Sequence, residues 1–146
     1  MKRIRGVLAV LAVAILFVGC SRKEQSVTLV TEQSGIRVEM TMDAKGDKVT
    51  RLLQVTEVPV EGLTEEQIIG AGVIIDEVAN GSGGTEYTQE VINGVMKEVL
   101  IIDVTDKDML QEVRTRKILP VEGGAVWLSL KDSVEVLEVQ GWTKVK

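Results

Sequence analysis

Histidine is absent from this 146-residue sequence, and cysteine, proline and aromatic residues are scarce. Without histidine the chain cannot form a serine-histidine or cysteine-histidine catalytic pair, or a zinc site with histidine ligands. Its single cysteine, Cys20, cannot form an internal disulfide bond, so a folded domain must depend on its hydrophobic core. The glycines of residues 80–84 lack the lysine and the strand-to-helix context of the common nucleotide-binding motifs.

Basic residues are fewer than acidic ones, 17 against 22. Three of the basic residues and none of the acidic ones lie in residues 1–19, so the chain after position 19 has a net charge of −8. Nucleic-acid-binding surfaces are basic, and this sign therefore argues against nucleic acid as a partner. It argues equally against electrostatic adhesion of the domain to anionic lipid.

The first nineteen residues have the three parts of a secretory signal. A basic start is followed by an apolar run over residues 7–18 and a small residue directly before Cys20. An uncleaved membrane helix is the alternative, but the run is shorter than the roughly 20 apolar residues that a span requires. We therefore predict a cleaved signal, which leaves enough chain for one domain with a continuous core.

The end of the apolar run, Leu-Phe-Val-Gly-Cys over residues 16–20, resembles the lipobox of bacterial lipoproteins. In such proteins the cysteine carries a diacylglycerol and the signal is removed before it. Phe17 stands where leucine is usual, and Leu16 lies one place earlier. A free or buried thiol, or an intermolecular disulfide, is the alternative for Cys20. Because the cysteine directly follows an apolar run, we predict lipid attachment at Cys20, with acyl chains rather than charge holding the protein to a membrane.

Three segments follow from this interpretation: a signal peptide at 1–19, a polar tether at 20–25 and a single domain at 26–146. An extended tether of this length reaches roughly 20 Å at about 3.3 Å per residue, which puts the domain near the bilayer surface. Ser21, rather than aspartate, follows the cysteine, as in outer-membrane lipoproteins of cells with two membranes. We expect the protein in the cell envelope, anchored on the extracytoplasmic side.

Alternating apolar residues predict two strands around a turn at Ser34-Gly35. A two-residue turn there makes Leu29 face Met40 and places both apolar sets on one side of the sheet. It also places Glu32 opposite Arg37, a favourable cross-strand pair.

A turn at Lys45-Gly46 then leads to a third predicted strand at 47–58, which ends near Pro59. With a two-residue loop, Leu53 lies beside Met40 and Met42. With one more loop residue, Leu52 lies there instead. A β-bulge would reconcile the two registers.

Asn93-Gly94 is typical of a type I′ hairpin turn and predicts strands at 87–92 and 95–104. In this register Glu90 faces Lys97, and Tyr87 faces Leu100.

Three stretches have the pattern of an N-terminal helix cap, at Thr64–Gln67, Thr105–Asp108 and Ser129–Asp132. The first predicts a helix that ends at Asn80-Gly81, and the third predicts a helix that stops at Gly141. Strand is the alternative for the third because its valines alternate, and residues 127–128 read as a brief strand.

The resulting order of elements predicts an α+β fold. We expect an antiparallel sheet built from hairpins with helices packed on one face, as a two-layer sandwich.

Few side chains suggest chemistry. Asp103, Asp106 and Asp108 are the best candidates for a calcium-like site, but the last two fit the first turn of a helix, and without a loop glycine or a distal glutamate we favour that explanation and predict no metal site. Trp127 and Trp142 each follow glycine-containing sequence and are either binding contacts or, as we favour, residues that close the edge of the core. No pair of carboxylates is marked out for glycosidase-type catalysis. We therefore expect no enzyme and no cofactor.

These motifs together resemble the YehR-like lipoproteins, a family classed as a domain of unknown function. The resemblance rests on Gly46–Thr50, the central helix, the long hairpin, and the ending Ser129–Asp132 through Gly141-Trp142, and it covers nearly all of residues 26–146. It implies an α/β sandwich in a bacterial envelope lipoprotein, and it implies no activity.

The sequence departs from the family at Asp43-Ala44 and at Trp142, positions where relatives often carry tyrosine or phenylalanine. Our functional hypothesis is a non-enzymatic binding or interaction module whose partner is a small ligand or an envelope protein. An envelope enzyme that uses a carboxylate pair is the alternative.

Overall fold

The computed structural model describes residues 22–70, 84–116 and 125–146. Within these ranges six strands form one antiparallel sheet, and three helical segments accompany it, which confirms the predicted α+β class. The elements are β1 (Glu24–Gln33), β2 (Ile36–Lys45), β3 (Lys48–Pro59), α1 (65–70), β4 (Thr85–Ile92), β5 (Val95–Asp103), α2 (Lys107–Thr115), α3 (Leu130–Val139) and β6 (Thr143–Lys144). The strands lie in the order β4-β5-β3-β2-β1-β6.

The first hairpin has the predicted register. Ser34 and Gly35 both have positive φ, at 54° and 80°, as a type I′ turn requires. Leu29 therefore pairs with Met40, and Glu32 pairs with Arg37. The tight turn and the period-two pattern specify the same pairing, so local sequence is sufficient here.

The turn between β2 and β3 lies one residue later than predicted, at Gly46–Asp47, and Lys45 pairs with Lys48 across it. The register then shifts between Asp43 and Ala44, so this hairpin contains the bulge that reconciles the two alternative registers. Because of the shift, β3 points both Val49 and Leu52 into the core, although an odd spacing would otherwise place them on opposite faces.

The hairpin of β4 and β5 is confirmed as well. Asn93 and Gly94 have φ values of 51° and 76°. Glu90 pairs with Lys97, and Tyr87 pairs with Leu100, which are the pairs expected for a two-residue type I′ loop.

The hydrophobic core lies between one face of the sheet and the helices. Strands β1, β2, β3 and β5 contribute alternate residues, and α2 and α3 pack on the same side. This arrangement is the two-layer sandwich predicted from the order of elements. The buried cluster consists of Leu29, Met42, Ala44, Val49, Leu52, Ile102, Val104, Leu110, Val113, Leu130 and Val134.

The start of α1 has a complete capping box. The Gln67 amide donates to the Thr64 hydroxyl at 3.3 Å, and the Thr64 amide donates to the Gln67 side-chain oxygen at 2.9 Å. The predicted end of this helix, at Asn80-Gly81, lies outside the described residues.

Helix α2 begins one residue later than the capping pattern predicted. Asp106, and not Thr105, is the N-cap, and its Oδ1 accepts from the amides of Asp108 and Met109 at 2.9 Å. The hydroxyl of Thr105 instead donates to the carbonyl of Thr50 on β3. A tertiary contact thus decides between two residues that can both cap a helix.

The predicted helix near the C-terminus is confirmed over the alternative strand. Ser129 caps α3 by accepting from the Asp132 amide at 3.1 Å. At the other end Gly141 has φ of 93°, its amide donates to the Glu138 carbonyl, and the Trp142 amide donates to the Leu137 carbonyl. These two bonds form a Schellman motif, which satisfies the last carbonyls of the helix.

Two short stretches differ from the prediction. Residues 127–128 do not form a strand, and only Ser129 makes an isolated bridge, to Lys48. After the helix stop, β6 adds two residues to the sheet edge by pairing with Leu29 and Val30 of β1. A two-residue strand has no alternation from which it could be predicted.

Substitution of Leu29 by alanine tests the position of the core. Leu29 is fully buried on β1, and we expect its truncation to reduce the free energy of unfolding by about 2–5 kcal/mol. Val139→Ala is the control. Val139 is 84 % exposed on α3, so its truncation should change the free energy of unfolding by no more than about 0.5 kcal/mol. Urea denaturation of both variants measures the difference, and equal midpoints would contradict this core.

Candidate functional site

The folded domain begins close to the predicted lipid-attachment site. Cys20 itself lies outside the described residues, but β1 already begins at Glu24, earlier than the predicted domain start at 26. The amide of Gly46 donates to the Lys23 carbonyl at 2.9 Å, so the turn between β2 and β3 holds the chain just before β1. The four residue steps from Cys20 to Glu24 reach about 13 Å when extended, less than the predicted 20 Å. None of the helices in the described ranges has the length and apolar character needed to span a bilayer.

Asp47, in the same turn, holds the start of α3. Its Oδ2 accepts from the Ser129 hydroxyl at 2.7 Å, and its Oδ1 accepts from the Lys131 amide at 2.9 Å. Its backbone carbonyl accepts from the Leu130 amide at 2.7 Å. The hydrogen bonds from Lys131 and Ser129 lower the pKa of this carboxyl below its ordinary value. Sequence reasoning missed this contact because Asp47 and Ser129 are separated by 82 positions.

A groove of about 820 Å³ lies between α3 and the sheet. Trp127 stands at its rim and is 43 % exposed. The segment before Trp127 is held by Arg114 on α2, whose guanidinium donates to the Ala125 carbonyl at 2.7 Å. The apolar part of the groove comes from Met40, Met42, Leu52, Ala125, Trp127, Leu128, Val136 and Leu137. Among the described lining residues there is no lysine or arginine, whereas Asp47 and Asp132 both line it.

The two tryptophans therefore have different environments. Trp142 is half-buried and packs against the core cluster, as favoured from the sequence, and the Schellman motif at the end of α3 fixes its backbone. Trp127 is exposed beside the groove, contrary to the role at the core edge that we favoured. A glycine upstream of a tryptophan does not distinguish these two cases.

The three candidate calcium ligands each have a local structural role. Asp106 caps α2, and Asp108 lies in the first turn of that helix, where its charge is favoured by the helix dipole. Asp103 accepts from the amide of Thr105 at 2.8 Å. In the described part of the chain no three His, Cys, Asp or Glu side chains are grouped as a metal site requires.

A second concavity, of about 900 Å³, lies at the end of the sheet where β1 begins. We call it the anchor-end cleft. Glu24 lies 3.8 Å from Lys45, and Asp43, near the cleft, lies 3.9 Å from Arg51. Both ion pairs are long and exposed. The charged residues lining the cleft are Arg22, Lys45, Lys48, Arg51, Glu24, Glu86 and Asp103.

Fold and sites define a small α+β sandwich with an apolar groove on its helix side and a charged cleft at its N-terminal end. No protein-family model matches the sequence, and no curated protein matches it either. Among solved structures, the fold is similar to the NMR structure of the Escherichia coli YehR protein, with a TM-score of 0.68 and 19% identity. That alignment covers 86% of this chain and 93% of YehR.

An NMR structure of a protein from Streptococcus pneumoniae TIGR4 is also similar, with a TM-score of 0.59 and 14% identity over 84% of this chain and 86% of that one. The chain thus has a YehR-like fold. Identities this low show the fold alone.

Replacement of Asp47 by asparagine tests its role as a cap. Because the pKa of Asp47 is lowered in the folded state, the ionised carboxyl stabilises the fold above its ordinary value near 3.8, and this contribution is lost as the pH falls through the folded-state pKa. Asp47→Asn should therefore lower the melting temperature at neutral pH, and the difference from the unsubstituted protein should shrink in acid. Glu135→Gln, on the exposed surface of α3, is the matched control. A pH-independent difference would contradict the role of the charge.

Proposed function

We propose that this protein is a lipid-anchored component of a bacterial cell envelope, related to the YehR-like lipoproteins, and that it acts as a non-enzymatic binding module. The signal-like start and the lipobox-like residues before Cys20 support the anchor. The YehR-like fold supports the relationship. The short connection between Cys20 and Glu24 supports a domain held close to the lipid.

The groove beside Trp127 is the observation that carries the binding role. An exposed tryptophan at the rim of an apolar concavity is typical of a ligand site, because its ring offers a large contact area at small conformational cost. The lining contains carboxylates and, in the described residues, no cation. The ligand therefore has an apolar part for the groove and is, as a whole, neutral or positively charged.

The carboxylate enzyme is the weaker candidate. Glu24, Glu86 and Asp103 line the anchor-end cleft, so acids do share a concavity. A catalytic acid, however, must keep its proton near neutral pH, and burial is the usual cause of the raised pKa. The side chain of Glu24 is 80% exposed, and Asp103 already accepts from a backbone amide.

The anchor is tested by replacing its cysteine. Cys20→Ala should abolish incorporation of labelled palmitate and should leave an uncleaved precursor, because the thiol is the acceptor of the lipid. Phe17→Leu is the control, since it restores the usual lipobox residue and should be processed at least as fast as the unsubstituted chain. Normal cleavage and membrane retention of Cys20→Ala would contradict the proposal.

The groove is tested by a ligand screen read through protein stability. A library of apolar peptides and small molecules, neutral and cationic, should contain members that raise the melting temperature, because binding to the folded state stabilises it. Trp127→Ala should abolish these shifts, whereas Val139→Ala, which removes an exposed valine outside the groove lining, should retain them. A shift that persists in Trp127→Ala would place the ligand elsewhere.

A further inference from the structure

The cations of the mature chain are unevenly distributed along the sheet. Strand pairing brings the start of β1, the turn at Gly46–Asp47 and the end of β5 to one end, because Glu24 pairs with Lys45, and Arg51 pairs with Asp103. We call this the anchor end, since it is the end from which the chain leads back to Cys20. The cations there include Arg22, Lys23, Lys45, Lys48 and Arg51.

Two of these cations face each other without an internal reason. Lys45 and Lys48 are direct cross-strand partners on either side of the turn, and like charges in that position are unfavourable. The Arg22 side chain lies against Gly46 in the same turn, about 3.7 Å from where a side chain on that glycine would begin. These three cations repel one another, and an external anion would offset that repulsion.

Acids also lie at this end, among them Glu24, Glu86 and Asp103 in the cleft, and two of the acids are already bound within the domain. Asp47 is bound by Ser129 and Lys131, and Asp103 by the Thr105 amide. The pairs of Lys45 with Glu24 and Arg51 with Asp43 are exposed and nearly 4 Å long, so those two cations can exchange partners. Within the described residues no carboxylate lies in ion-pair range of the side chains of Arg22, Lys23 or Lys48.

The opposite end of the sheet is acidic. It contains the turns at Ser34-Gly35 and Asn93-Gly94 and the start of α1. Arg37 and Lys97 are the cations on the strands there. The acids of this end include Glu32, Glu57, Glu61, Glu65, Glu66 and Glu90, and Glu39 forms an ion pair with Arg37. The domain is therefore more acidic at the end opposite the start of β1.

We propose that the anchor end docks on the anionic phospholipid head groups of the bilayer that holds the lipid on Cys20, and that Arg22, Lys23, Lys45 and Lys48 make the contact. This inference rests on the anchor proposed above. The tether reaches only about 13 Å from the lipidated residue, so it keeps these cations within reach of lipid phosphates. Docking leaves the Trp127 groove on the side of the domain and the acidic end facing outward.

Lysine acetylation of the full lipidated protein, reconstituted into vesicles and read by mass spectrometry, tests this docking. On vesicles that contain phosphatidylglycerol, Lys23, Lys45 and Lys48 should be protected, whereas Lys97 at the far end should react as it does on phosphatidylcholine vesicles. Protection should weaken with salt, because the contact is electrostatic. Equal reactivity of Lys45 and Lys48 on the two kinds of vesicle would overturn the proposal.

A pair of double variants isolates the role of the cations. Lys45→Gln/Lys48→Gln should reduce the protection of Lys23, with the docked-to-undocked ratio falling about fivefold per removed cation. Arg37→Gln/Lys97→Gln removes the same charge at the far end and should leave the protection of Lys23 unchanged. An equal loss of Lys23 protection in both double variants would show that net charge alone causes the effect. It would overturn the assignment of the contact to the anchor end.

Two further outcomes separate this inference from the anchor itself. Retention on phosphatidylcholine vesicles with no anionic-lipid effect would leave the lipid anchor intact and contradict the docking. Failure to sediment with any vesicle would contradict the anchor, and the docking with it. Protection of Lys45 and Lys48 by inorganic phosphate in detergent would show a soluble-anion site and would overturn the assignment to a membrane surface.

Discussion

The turn at Gly46–Asp47 is the constraint on which the rest of the structure depends. Gly46, with φ of 61°, donates its amide to Lys23 and so fixes the point where the chain enters β1. Asp47 accepts from the side chain of Ser129 and the amide of Lys131, and so fixes the start of α3. One two-residue turn thus positions both the start of β1 and the start of the helix that covers the sheet. The groove beside Trp127 and the anchor-end cleft both adjoin this turn.

The parts of the fold that local sequence predicts are those in which pairing follows from a tight turn. Both type I′ hairpins have the predicted partners, because two residues with positive φ leave one register open. The bulge between Asp43 and Ala44 was recognisable for a related reason. Two registers of β3 were compatible with the sequence, and only an extra residue in one strand lets Val49 and Leu52 both reach the core.

The parts that sequence could not predict depend on residues far apart in the chain. Asp106 and Thr105 are both acceptable caps, and the choice is made by Thr50 on β3, which takes up the hydroxyl of Thr105. The capping role of Asp47 needs Ser129, 82 positions away. The outcome for Trp127 and Trp142 is decided in the same way, since only Trp142 is drawn onto the core by the end of a helix.

The net charge of the sequence likewise does not show where the charges lie in the folded domain. The net charge of −8 after residue 19 argues against adhesion to anionic lipid only if the whole domain is felt at the surface. Salt screens exposed charges over about 8 Å at physiological ionic strength. Strand β1 has 10 residues and therefore spans about 33 Å, so a surface at the anchor end lies several screening lengths from Glu32, Glu57 and Glu90. In the docking proposed above, a domain held there by a short tether would interact through Arg22, Lys23, Lys45 and Lys48, and the excess of acid at its far end would favour the upright orientation instead of opposing attachment.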